Sequence, residues 1–169
     1  MLSTIALGVC LALPSNATVI DPFRAPECAR CAGNRGIEYA VPANAVVRSG
    51  LRGEVVFVGM VAKVRYVVVR ASADPRVRVT YGGLADVVVS QGEELRRGDA
   101  LGTMGESDAR GSGDERGSGD ARGIARLHPG VRVGDEYMDP LVVARGSAAK
   151  PRFRVTLGRG PTSNCVRSP

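Results

Sequence analysis

Glu54-Val-Val-Phe-Val58, Tyr66-Val-Val-Val69, Val77-Arg-Val-Thr-Tyr81 and Val87-Val-Val89 are four short runs rich in β-branched residues within 36 positions. Gly, Asp and Pro separate them. The third run alternates apolar and polar residues, the period of a half-buried strand. Short strands at this spacing predict an all-β sandwich or barrel.

Working outward, Val46-Val47 precedes these runs. The tract Gln91 to Gly102, with Gly92 and Gly98, predicts two short extended pieces joined by tight turns. Gly82-Gly83 marks a turn or a close backbone approach. Strand character resumes at Ile124–His128 and Val131–Val133, and Asp139-Pro-Leu-Val-Val-Ala144 closes the domain. Residues 108–123 repeat Asp-x-Arg-Gly-Ser-Gly with a period of six and almost no apolar side chains. Such a segment cannot offset the entropy of ordering and reads as a flexible insertion, taken as 106–123. Calcium is a poor fit to the repeat, because an Arg stands beside its acidic positions.

At the start, Met1 to Pro14 is uncharged and too short to span a bilayer. With the small residues Ser15-Asn-Ala17 it reads as a signal peptide, residues 1–17. The expected organisation is then a β domain over 18–145, opening with an irregular loop, and an extra edge segment and polar tail over 146–169. Phe153–Leu157 is a candidate edge strand there. Of four cysteines, Cys28, Cys31 and Cys165 would remain after cleavage. Cys28-Ala-Arg-Cys31 lacks the second pair of a zinc site and the βαβ setting of a redox motif, and reads as a structural disulfide of an exported protein.

The formal charge is +6, with two lysines, Lys63 and Lys150, among 23 basic residues. Aromatic residues are 4% of the chain and Trp is absent, so no stacking platform accompanies the arginines. A nucleic-acid partner is not expected. Neither lysine has the acidic-Ala-Met type flanks of a modified carrier-domain lysine.

An ordered set of motifs resembles the lysostaphin/LytM-type zinc endopeptidases. Asn34-Arg-Gly-Ile-Glu38, after Asp21-Pro-Phe-Arg24, sits where that family has His-x-Gly-x-Asp. Tyr81-Gly-Gly-Leu84 resembles Tyr-x-His-Leu, Gly92 to Gly102 resembles its turn-rich stretch, and Arg126-Leu-His128 resembles its His-x-His. Asp139-Pro140 resembles the pair that ends the domain. The resemblance implies an antiparallel β domain of the LytM type that cleaves peptide cross-bridges in peptidoglycan with zinc, outside the cytoplasm in a bacterial cell envelope.

It also implies metal-ligand positions at Asn34, Glu38 and His128, and catalytic-histidine positions at Gly83 and Arg126. These positions are substituted. An amide oxygen is a poor replacement for imidazole on zinc. Glycine has no side chain, and a guanidinium neither accepts a proton nor tolerates a divalent cation beside it. Two expectations for the altered pocket follow: an Asn34–Glu38 hydrogen bond and an Arg126–Glu38 ion pair. The functional expectation is a non-catalytic wall-associated domain whose partner is peptidoglycan or a cell-wall hydrolase. The alternative is an active metalloendopeptidase with an Asn/Glu/His site.

Overall fold

In a computed structural model, the described residues are 9, 11–14, 17–28, 30–105 and 124–145. The insertion over 106–123 and the tail over 146–169, with Phe153–Leu157 and Cys165, lie outside them.

Among the described residues ten strands and one short helix follow in order: β1 Thr18–Asp21, β2 Glu38–Pro42, β3 Val46–Arg48, β4 Gly53–Val61, β5 Val64–Ala71, β6 Val77–Val87, β7 Glu94–Leu95, β8 Ala100–Met104, β9 Ile124–Val133, β10 Glu136–Met138 and α1 Pro140–Arg145. The main path across the sheet is β1-β2-β9-β6-β5-β4-β7, with β10 on β9 and β8 joining β3 to β6. Every pairing is antiparallel. The all-β antiparallel expectation holds.

Alternation explains the core. Val77, Val79 and Tyr81 point inward from β6, as do Val67 and Val69 from β5 and Val131 from β9; all are buried. Each fully buried valine contributes about 1.5–3 kcal/mol relative to exposure. The β3–β8 branch adds Val47, Leu101 and Met104 to the same cluster. Val9 and Leu11 are also buried in it, and the Ala12 amide donates to the Gly50 carbonyl at 2.7 Å. Tyr81 accepts from the Gly50 amide at 2.7 Å.

Three local readings change. The loop read over 18–33 begins with a strand, β1. Strand β6 ends at Val87, and Val88 is 63% exposed. Residues 140–145 are helical. Asp139 caps that helix, its Oδ1 accepting from the Leu141 amide at 2.8 Å, and Pro140 supplies the first helical residue.

Candidate functional site

One row of residues crosses the outward face of the sheet. Tyr66 on β5 is opposite Gly82 on β6, and Gly82 is opposite His128 on β9. Glu38, at the start of β2, completes the row. His128 Nδ1 and Glu38 Oε1 are 2.7 Å apart, with both side chains about a quarter exposed, at 24% and 26%. A carboxylate only accepts, so Nδ1 is the donor when Glu38 is ionised. The far edge of the ring faces Gly36. A Cβ at Gly36 would stand 2.7 Å from His128 Nε2 and collide with the Pro129 carbonyl oxygen. Glycine is therefore needed for the Gly36–Gly130 bridge to close over the histidine.

The Tyr66 ring lies over Gly82, where any side chain would displace it. Burial pushes the Tyr66 hydroxyl above its ordinary range, and the charge of Glu38 adds to the effect.

Asn34 is buried on the loop before β2. Its amide nitrogen donates to the carbonyls of Asp21 at 3.3 Å and Pro22 at 3.1 Å. Its oxygen accepts from the Gly36 amide at 3.2 Å. Backbone hydrogen bonds between Arg24 and Asn34, both 2.9 Å, fix the same loop. A disulfide joins Cys28 to Cys31, and the Cys31 carbonyl accepts from Arg35. The Arg35 guanidinium lies 5.4 Å from the centre of the Tyr137 ring.

Arg126 is exposed on β9, opposite Ala40. Asp21 is held below its usual carboxylate range chiefly by its hydrogen bond to Arg24, with a smaller contribution from the charge of Arg126. Gly83 has φ +91°, and a Cβ there would collide with the Arg126 carbonyl oxygen.

The family model described as Peptidase family M23 matches residues 32–140. That span covers most of the sheet and every position of the row. The chain belongs to peptidase family M23.

No curated protein sequence matches the chain. Solved structures do. The catalytic domain of the prophage-encoded M23 protein EnpA from Enterococcus faecalis, a point mutant, matches at 17% identity and TM-score 0.56, over 78% of this chain and 94% of that one. The catalytic domain of the antimicrobial peptidase lysostaphin from Staphylococcus simulans matches at 14% identity and TM-score 0.60, over the same 78% and 94%. Csd3 from Helicobacter pylori matches at 18% identity and TM-score 0.61, over 87% of this chain but only 37% of its own length. At such identities these likenesses establish the fold.

Within the M23 frame the site differs from both pairings expected of it. Asn34 does not bond to Glu38, because its amide is committed to the loop backbone. Arg126 does not pair with Glu38, because His128 takes that carboxylate and Arg126 sits within electrostatic reach of Asp21. The three positions that the resemblance implies for zinc are thus poorly matched to a metal. Glu38 and His128 are bonded to each other, Asn34 is engaged by three backbone groups, and no cluster of three or more His, Cys, Asp or Glu residues among the described residues could hold a metal ion.

Sequence reasoning missed Tyr66. The signal available was register: β5 pairs with β6 so that Tyr66 covers the glycine two residues before Leu84.

Proposed function

We propose that this M23 domain binds peptidoglycan peptides without cleaving them, in the envelope of a bacterium and outside its cytoplasm. The supporting observation is the His128–Glu38 hydrogen bond. It ties the one histidine of the chain to the one acidic residue of the row, turning the imidazole Nδ1 and one carboxylate oxygen toward each other rather than toward a metal ion. Metal-activated water needs a firmly held Lewis acid, an open coordination position and a base. The neighbouring positions offer a committed amide, a bare glycine and a guanidinium.

What remains suits binding. The row presents an imidazole, a carboxylate and a phenol above small residues, groups that can bond to peptide amides and carbonyls. A cell-wall hydrolase is the alternative partner for the same face.

Co-sedimentation of the whole chain with purified peptidoglycan tests the reading. Retention in the pellet, with no fall in turbidity of a wall suspension, is expected. A fall in turbidity that His128→Ala abolishes would instead establish a metalloendopeptidase with an Asn/Glu/His site.

A further inference from the structure

Three arginines stand side by side on neighbouring strands of the same sheet face. Arg70 of β5 is opposite Arg78 of β6, and Arg78 is opposite Arg132 of β9. Their chain neighbours Val69, Val79 and Val131 are fully buried, so the three guanidinium groups leave the sheet on its outward side. Like charges directly opposed across strands are unfavourable unless offset.

The outer two are offset in place. Arg70 donates to Glu54 Oε2 at 2.5 Å, and Arg132 donates to Asp135 Oδ1 at 2.6 Å. Arg78, partly buried between them, has no carboxylate partner among the described residues. Asp74, on the turn before it, is held by Arg76 at 2.8 Å. Glu94 lies beside Glu54 on β7, three strands from Arg78 along the sheet, or about 14 Å at the usual strand spacing.

We propose that Arg78, flanked by Arg70 and Arg132, binds the terminal carboxylate of an extended peptide lying along this face. A guanidinium fork matches a carboxylate in two parallel hydrogen bonds. Three cations against two carboxylates leave one negative charge to be supplied. Glu54 and Asp135 flank the row and repel a polyanion that runs past it, so a single anionic group fits better than a nucleic acid or a charged membrane. A hollow at one end is lined by Pro26, Arg132 and Tyr137 together with Asp135 and Glu136, so its acidic side turns the carboxylate toward Arg78.

The row is in line with the candidate site. Arg132 is four residues beyond His128 on β9, and Arg78 four before Gly82 on β6, each about 13 Å along a strand. Thr80 and Gly130, opposite each other, form the low floor between. A peptide of about four extended residues spans this distance, placing its carboxylate at Arg78 and its other end at His128 and Glu38. The inference rests on the peptide-binding reading above.

The test is an NMR titration of the arginine Nε–H resonances of the whole chain. The probes are N-acetyl-tetra-alanine with a free carboxylate and its C-terminal amide. The acid is expected to move Arg78 and its two neighbours, and to bind about tenfold better than the amide. Arg78→Gln should erase that preference, and Arg78→Lys should restore only part of it. Equal binding of acid and amide, or a preference that survives Arg78→Gln, overturns the proposal. So does binding to phosphatidylglycerol vesicles that Arg78→Gln abolishes while the acid moves nothing, which assigns the row to a membrane surface. An intact acid preference without peptidoglycan retention supports the carboxylate site and counts against the cell-wall reading alone.

Discussion

His128 Nδ1 lies 2.7 Å from Glu38 Oε1, joining the start of β2 to β9 on the outward face of the sheet. The bond links residues 90 positions apart, so it also fastens β2 to the segment that follows the insertion. A double-mutant cycle with His128→Ala and Glu38→Gln should give a coupling of about 1 kcal/mol in urea unfolding, as for a partly exposed hydrogen bond. Additive losses would show that the pair does not act as a unit.

Gly83 leaves no room for a histidine. Its φ of +91° and the Arg126 carbonyl oxygen leave no room for a Cβ. Gly83→His should lose more than about 2 kcal/mol of stability, through the positive φ and the displaced strand. It should gain no wall-digesting activity. A stable, folded Gly83→His with a normal unfolding midpoint would show that the β6–β9 backbone is looser than described.

Asn34 is a brace for the loop, and its amide hydrogens are what the loop uses. Asn34→Asp keeps the shape but sets a carboxylate against the carbonyls of Asp21 and Pro22. A loss of about 2 kcal/mol or more in thermal or urea unfolding is expected. An unchanged midpoint would contradict the bracing role.

Tyr81 makes stability fall in alkali. Burial pushes its hydroxyl from 10.0 up to about 12. Because the folded-state value is raised, the unfolded chain ionises first as pH rises. This contribution is complete below pH 10.0 and is lost progressively toward about 12. Tyr81→Phe should remove that part of the pH dependence in urea unfolding. It should also cost about 1–3 kcal/mol at neutral pH by leaving the Gly50 amide without its acceptor.

Much of the fold was legible because β strands announce themselves by alternation. Val77 to Tyr81 reads as a half-buried strand from its sequence alone, and it is the strand that both pieces of the sheet share. The β4–β5 hairpin was harder. Its turn residues Ala62 and Lys63 both have positive φ, at 47° and 66°, without the Asn-Gly or Gly residues that normally mark such a turn. Helix α1 was missed although Asp139-Pro140 is a helix start, because Leu141-Val-Val143 reads equally well as a strand.

For the site, Asn34, Glu38 and His128 were singled out by the family resemblance, but their partners could not be read from it. Which donor a buried amide satisfies depends on the loop path from Asp21 to Gly36, and no local pattern encodes that path. Register placed Tyr66 over Gly82, and register is a property of two strands together.

The most direct measurement is zinc content of the purified chain after incubation with zinc and desalting, with His128→Ala as the control. A site in which His128 and Glu38 satisfy each other and Asn34 is held by the backbone predicts no zinc that depends on His128. About one zinc per chain, lost in His128→Ala, would contradict it and return the domain to the metal-dependent peptidases.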